Sequence, residues 1–283
     1  MIRVGSWSLA TVRAENFRLD GGAMFGVVPK PLWSRAHPAD ERNRIEMVTR
    51  CLLVRGEGRV VLVDTGMGGE WSDKERDIYA IENGRRSIVA SLASEGVSPA
   101  DVTDVVLTHL HFDHAGGATT RSDGRVAAAF PNARYHVQES QLRWALSPTE
   151  KDRRSYRPDD FVPLERDGRL RLVRGGAEIL PGIHVEPTQG HTIGHQIVRV
   201  GEGRGAVVYC GDLIPTAAHL PIPWVMGYDL HPLTTMDEKR DLLARAVAEQ
   251  WLLVLEHDPV HAAVRVRHDG EGFASAGAVE GFS

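Results

Sequence analysis

Apolar runs separated by short polar turns organise the first half of the chain. Residues 47–54 and 60–63 are rich in β-branched side chains, and the charged and glycine residues between them predict a β-hairpin. Helical spacing of apolar residues over 78–95 stops at Gly96, before the apolar run 105–107. The order strand, helix, strand predicts a β-α-β unit.

The second half of the chain continues with elements of both kinds. The predicted strands are residues 133–137, 183–187, 196–200, 206–210 and 252–255, and the predicted helices are residues 138–146 and 237–250. Residues 147–166 are charged and contain prolines, so we expect a surface loop whose charges are simply solvated.

Composition restricts the class of protein. With 283 residues, 42% of them hydrophobic, the chain can bury a large core, and we expect one domain over residues 1–283. A formal charge of -5 offers no basic surface for nucleic acid. No apolar run reaches the roughly 18 residues of a membrane span, and the first residues lack the apolar core of a signal peptide, so we expect a cytoplasmic protein without a membrane partner. Cys51 and Cys210 lie in apolar strand-like runs and are expected to be buried thiols.

The residues with the clearest chemistry directly follow the predicted β-α-β unit. Segment 109–114 reads His-Leu-His-Phe-Asp-His. Strand alternation directs His109 and His111 to the same side, and a turn after them directs Asp113 and His114 to a neighbouring position. Imidazole and carboxylate suit zinc and related divalent ions. The segment predicts a metal site with room for two ions, and the competing interpretation is a solvated histidine-rich turn.

Three further candidate ligands also come just after apolar strands. They are His191, Asp212 and His257. Because α/β proteins build their sites at strand ends, we expect these side chains to join the motif at 109–114.

With all four segments in place, the chain resembles the metallo-β-lactamase superfamily, whose His-x-His-x-Asp-His signature the motif matches. Asp64-Thr65-Gly66 is similar to the early Asp motif of that family, so the resemblance extends to His257. It implies an α/β chain with the metallo-β-lactamase fold, a four-layer αβ/βα sandwich. It also implies a ligand set: His109, His111 and His191 for one divalent ion, Asp113, His114 and His257 for the second, and Asp212 as the bridge.

This ligand set implies hydrolytic chemistry. Two ions about 3.5–4 Å apart share a hydroxide that acts as the nucleophile at neutral pH. Zinc is the expected ion, with manganese, iron or cobalt as alternatives. Asp113 is also the candidate catalytic residue, because it can shuttle a proton. Asp64 and His195 are expected to orient metal-bound imidazoles, although a merely buried polar residue is an equal interpretation for His195.

Fold and metals do not select the substrate. Segments 190–195 and 211–214 are similar to those of N-acyl-homoserine lactonases and of phosphotriesterases that resemble methyl parathion hydrolase. Many of those lactonases have a tyrosine three residues after the bridging Asp, where this chain has Pro215. We therefore expect a lactone, ester or organophosphate hydrolase acting on a small molecule. The alternatives are a glyoxalase-II-like thioesterase, a mono-iron sulfur dioxygenase and a non-catalytic scaffold. The sequence is also compatible with a homodimer.

Two apolar segments are candidates for the walls of a substrate pocket. Residues 17–33 predict either a flap over the site or an ordered N-terminal excursion. Residues 220–228 follow Asp212 and predict either a pocket wall or a core loop, with Trp224 expected to contact substrate. Tyr228 is a candidate for supplying a phenol.

Overall fold

Two seven-stranded sheets organise the part of the chain that the computed structural model describes, which is residues 1–69, 71–81, 87–270, 272–279 and 282. The strands are β1 (Ile2–Val4), β2 (Trp7–Asp20), β3 (Arg44–Gly56), β4 (Arg59–Val63), β5 (Asp104–Val106), β6 (Thr119–Ser122), β7 (Arg125–Ala128), β8 (Arg134–Gln138), β9 (Leu170–Val173), β10 (Ala177–Leu180), β11 (Ile183–Thr188), β12 (His195–Val200), β13 (Val207–Tyr209), β14 (Leu252–Val254), β15 (Ala263–Asp269) and β16 (Gly272–Ala278). The helices are α1 (Gly21–Phe25), α2 (Lys30–Trp33), α3 (Asp73–Tyr79), α4 (Ile88–Ser94), α5 (Phe112–Ala115), α6 (Glu139–Leu146), α7 (Val162–Arg166) and α8 (Pro232–Ala248).

The strand order of each sheet explains where the ends of its strands meet. The first sheet runs β1-β2-β3-β4-β5-β8-β9, the second runs β10 to β16 in chain order, and β6 and β7 form a separate hairpin. β4 pairs in parallel with β5, and β13 pairs in parallel with β14. Since α3 and α4 lie between the first pair and α8 between the second, each sheet contains a β-α-β crossover whose strands end at the same edge.

Alternating side chains of the strands divide the core into layers. On β3, Leu52 and Val54 belong to a cluster shared by both sheets, whereas Cys51 and Leu53 belong to a cluster shared with α4, α6 and α7. Leu242 of α8 packs in a third cluster, on the other face of the second sheet. The layers are helix, sheet, sheet and helix, so the predicted four-layer sandwich is confirmed.

Most predicted elements are present, with boundaries shifted by a few residues. The hairpin is formed by β3 and β4, and the two thiols are buried as predicted. None of the described helices has the length and apolar character to cross a membrane. The strands β1, β2, β6, β7, β9, β10, β15 and β16 were not anticipated from the sequence.

The single helix predicted over residues 78–95 is wrong. α3 begins earlier, where Ser72 and Glu75 form a capping box, and it ends before Ala80, whose backbone is left-handed with φ 48°. α4 is a separate helix with its own N-cap residue, Ser87, whose hydroxyl accepts a hydrogen bond from the Ala90 N–H. Residues 82–86 of the predicted helix lie outside the described part of the chain.

Candidate metal centre

The motif at 109–114 begins in the loop after β5, continues into α5 and is packed against the loop after β4. Thr65 donates its backbone N–H and its hydroxyl to the carbonyl oxygen of His114, both at 2.8 Å. Gly116 and Gly117 make this approach feasible, because a Cβ on either would lie 2.2 Å from a carbonyl oxygen of Met67 or Thr65. The glycines after the motif therefore let the two loops approach at backbone distance.

The structure brings all seven predicted ligands together in two groups. Within each group, the potential ligand atoms lie within 4.8 Å of one another. The first group is His109, His111, His191 and Asp212, and the second is Asp113, His114 and His257. Every one of these residues is buried.

The Asp212 carboxylate lies between the two groups. Its Oδ2 is 3.1 Å from His191 Nε2, whereas its Oδ1 is 3.0 Å from His257 Nε2 and 3.5 Å from His114 Nε2. One carboxylate oxygen thus faces each group. This is the geometry expected of a residue that bridges two cations.

The donor set fits divalent metal ions. Nε2 of His109 and Nε2 of His111 are buried without a hydrogen-bond partner among the described residues. Burial, reinforced by the imidazoles of His114 and His111, holds the pKa of His109 well below its usual value. Its neutral form is therefore favoured, and neutral imidazole is the form that binds metal.

Several of the imidazoles are fixed by a hydrogen bond at the opposite nitrogen. His191 Nδ1 donates to Asp229 Oδ1 at 3.0 Å, His114 Nδ1 donates to Asp64 Oδ2 at 2.9 Å, and His257 Nδ1 donates to the Val48 carbonyl at 2.9 Å. Such partners set the tautomer and the direction of the metal-facing nitrogen. Asp64 thus contacts the imidazole of a candidate ligand, as expected.

His195 has a different position from the one expected. Its Nε2 accepts the backbone N–H of Asp212 at 3.1 Å, and its Nδ1 donates to the Thr188 hydroxyl at 2.7 Å. It is completely buried. His195 therefore holds the backbone of the Asp212 turn rather than the far side of an imidazole.

Two carboxyl groups of the site were missed from the sequence. Asp229 orients His191 but lies in a segment where no pattern distinguished it. Glu256 is buried with its Oε2 2.9 Å from His114 Nδ1, and burial raises its pKa to about 8. Glu256 could have been recognised as a residue of the site because it directly precedes His257 at the end of a predicted strand.

A cavity of about 240 Å³ opens onto the two groups. It is lined by the candidate ligands His111, Asp113, His191, Asp212 and His257, by Leu19, Met24, Met47, Tyr79, Phe112, Met226, Gly227 and Tyr228, and by Lys151, Asp152, Arg154 and Ser155. Mostly apolar walls with a few polar groups are typical of a site for a small organic ligand.

The interpretation of residues 147–166 as a solvated surface loop is wrong. Besides its four cavity residues, this segment buries Tyr156 and Phe161 in the core. The Tyr156 hydroxyl is 2.8 Å from the Thr192 hydroxyl, and its ring centroid lies 4.7 Å from that of His111. The presence of two aromatic residues among the charged ones was the sequence signal that this segment packs into the core.

The two apolar segments contribute to the cavity only in part. Residues 17–33 form the end of β2 with α1 and α2, and place Leu19 and Met24 in the cavity wall. Of residues 220–228, only the last three line the cavity. Trp224 is not among the residues that line the cavity and packs edge-on against Phe25 at 5.8 Å, which favours the alternative of a core loop for this residue.

Residues 45–257 match the family profile of the Metallo-beta-lactamase superfamily. The chain belongs to this superfamily. Among its relatives, a probable metallo-hydrolase of Mycobacterium tuberculosis is 30% identical over 248 residues, covering 76% of each chain. N-acyl homoserine lactonase AiiA of Bacillus thuringiensis subsp. kurstaki is 30% identical over 220 residues, covering 74% of this chain and 80% of the relative.

Two solved structures share the fold along nearly the whole chain. A probable metal-dependent hydrolase from Staphylococcus aureus superimposes with a TM-score of 0.89 at 31% identity, covering 99% of both chains. AidC, a dizinc quorum-quenching lactonase, superimposes with a TM-score of 0.80 at 18% identity, covering 98% of this chain and 96% of AidC. Family and relatives together support a metal-dependent hydrolase.

Proposed function

We propose that this superfamily member is a dinuclear hydrolase that opens lactones or cleaves related esters. The observation that carries the proposal is the position of Asp212, with one oxygen toward each group of ligands. His109, His111 and His191 would hold one divalent ion, and Asp113, His114 and His257 the other. When bound, two such ions lower the pKa of a shared water, polarise the substrate oxygen and supply a nucleophile at neutral pH.

Asp113 is the proposed catalytic residue. Its carboxylate lines the cavity, with Oδ1 3.8 Å from His114 Nε2 and Oδ2 3.7 Å from His257 Nε2. From this position, it takes the proton released by the attacking water and delivers it to the leaving alkoxide oxygen.

The cavity walls support a substrate with an apolar group. Leu19, Met24, Met47 and Met226 offer flexible apolar surface for an acyl or alkyl chain. A lactone is the first choice because a relative at 30% identity is named an N-acyl homoserine lactonase. Where many lactonases have a tyrosine, this chain has Pro215, and Tyr228 brings a phenol to the cavity from another segment.

The test combines metal analysis with a hydrolysis screen. Protein purified without chelator is expected to contain close to two divalent ions per chain. It should hydrolyse γ- and δ-lactones or aryl esters, lose that activity on chelation and regain it with zinc. His257→Ala should lose mainly one ion, whereas His268→Ala, an exposed histidine on β15, should behave like the wild type.

Other outcomes would replace the proposal. Turnover of phosphotriesters alone would indicate an organophosphate hydrolase, and turnover of thioesters alone a glyoxalase-II-like enzyme. A reproducible single iron per chain would support a sulfur dioxygenase. Failure to bind any metal would support a non-catalytic scaffold.

A further inference from the structure

The backbone of residues 221–229 is held by two lysine side chains. Lys239 Nζ donates to the carbonyl oxygens of Pro221 at 2.9 Å, Ile222 at 3.2 Å and Trp224 at 2.7 Å. Lys151 Nζ donates to those of Gly227 at 3.0 Å, Tyr228 at 2.9 Å and Asp229 at 2.8 Å. The whole chain has only four lysines, so half of them serve this one segment.

Lysine suits this task better than arginine. The segment forms neither helix nor strand, so its carbonyl groups have few backbone donors nearby. An ammonium group carries three N–H donors at a single point, and each of these two lysine side chains has three carbonyl partners. A guanidinium group spreads its donors over a planar fork and matches three converging carbonyls poorly.

The two lysines differ in position. Lys239 belongs to α8 and is 1% exposed, so it anchors the beginning of the segment from inside the protein. Lys151 is exposed and lines the cavity, and it joins residues 151–155 to the end of the segment. Lys151 therefore connects two walls of the same cavity that are far apart in sequence.

The end of the segment also reaches the candidate metal centre. Asp229 orients His191 through Oδ1, and its Oδ2 accepts the Met226 N–H at 3.3 Å. The Leu230 N–H donates to the His191 carbonyl at 3.0 Å. Asp229 and Leu230 thus attach the segment to His191 without Lys151, which leaves Lys151 to hold the cavity wall beside Tyr228.

We propose that Lys151 is a positioning residue for the substrate pocket, because its ammonium group fastens residues 227–229 to residues 151–155 and so fixes the width of the pocket beside Tyr228. Lys239 supports the other end of the same segment. The proposal rests on the proposed function, because it assigns the cavity to substrate.

The test compares three variants of the metal-loaded, full-length protein. Lys151→Met removes the ammonium group, Lys151→Arg keeps the charge with the wrong geometry, and Lys74→Met alters an exposed lysine of α3 as the control. Hydrogen exchange is measured at residues 226–231. KM and kcat are measured for short-chain and long-chain substrates found in the hydrolysis screen, together with metal content.

Lys151→Met is expected to accelerate exchange at residues 226–231 and to raise KM about tenfold for at least one chain length, with kcat changed by less than about twofold. Metal content should stay at the wild-type value, Lys151→Arg should not restore KM, and Lys74→Met should change nothing.

Unchanged exchange in Lys151→Met would overturn the role of Lys151 in holding the segment. Faster exchange with wild-type KM for every chain length would overturn its role in the pocket, as would a full rescue by arginine or a loss of metal that accounts for the kinetic change. If the wild type hydrolyses nothing in the screen, the proposed function fails and the assignment to a substrate pocket fails with it, but exchange still tests the contact.

Discussion

Replacing Asp229 by alanine isolates the contribution of one orienting carboxylate to metal binding. Asp229 is 3% exposed and accepts the Nδ1–H of His191, which is itself 2% exposed. Alanine leaves that N–H without its partner in a place that water barely reaches. A hydrogen bond to a charged group contributes about 1.5–3 kcal/mol, which corresponds to about 10- to 150-fold in affinity. We therefore expect the ion held by His191 to bind about 10- to 100-fold more weakly, the usual range for such partners.

Chelator competition measures this effect on each ion separately. At a chelator concentration where the wild type retains both ions, Asp229→Ala should retain one, and Asp229→Asn should lose less than the alanine variant because its amide oxygen can still accept the N–H. Asp64→Ala is the matched variant for the other group, since Asp64 faces His114. Asp237→Ala, at an exposed position of α8, is the control for a lost surface carboxylate.

The reasoning would be refuted by an Asp229→Ala variant that binds both ions with wild-type affinity. It would also fail if Asp229→Ala and Asp64→Ala weakened the same ion, because the two carboxylates face different ligand groups. Melting temperatures recorded in parallel separate a local loss of affinity from general unfolding.

Three further predictions concern proton transfer, pH and the core. Asp113→Asn, assayed with enough added zinc for metal analysis to find both ions bound, should reduce turnover by roughly 100-fold or more in steady-state kinetics. Burial raises the pKa of Glu15 to about 7, so the folded state binds this proton more tightly than the unfolded chain. Relative to Glu15→Gln, the wild-type free energy of unfolding should therefore fall by roughly 3 kcal/mol between pH 4.5 and pH 7.5, as urea titrations would show. Trp224→Ala should lower the melting temperature and affect small and large substrates equally, because Trp224 packs against Phe25 rather than lining the cavity.

The seven candidate ligands could be found in the sequence because their signal is local. Four of them lie within six residues after a buried strand, and the other three follow apolar runs of their own. β5 ends at an edge of the first sheet and β13 and β14 end at an edge of the second, and the candidate ligands that follow these strands meet where the two sheets pack together. The strand ends therefore supplied the candidate residues, whereas their division into two groups with Asp212 between them came from the family resemblance, because the meeting of two sheets has no local signal.

The cavity walls could not be predicted because they depend on contacts without a periodic pattern. Lys151 looks like any solvated charge until its three carbonyl partners, 76 to 78 residues away, are in place. Asp229 lies 38 residues from the imidazole it orients. The helix boundary at Ala80 did have a local signal, because Ser72 and Ser87 are N-cap residues that can be recognised in the sequence. It was missed because the helical spacing of apolar residues continues across Ala80.

The carboxylates of the site connect its chemistry with folding. Asp64 and Glu256 are 0% exposed and both lie 2.9 Å from the same nitrogen of His114, and Asp212 is 6% exposed among imidazoles. Burying two carboxyl groups so close together is costly because one imidazole N–H cannot satisfy both, and the pKa of Glu256, raised to about 8 by burial, favours its protonated form near neutral pH. Divalent ions bound by His114 and Asp212 would supply the missing positive charge. Metal binding would therefore offset part of the cost of burying these acidic groups, so we expect removal of metal to lower the free energy of unfolding.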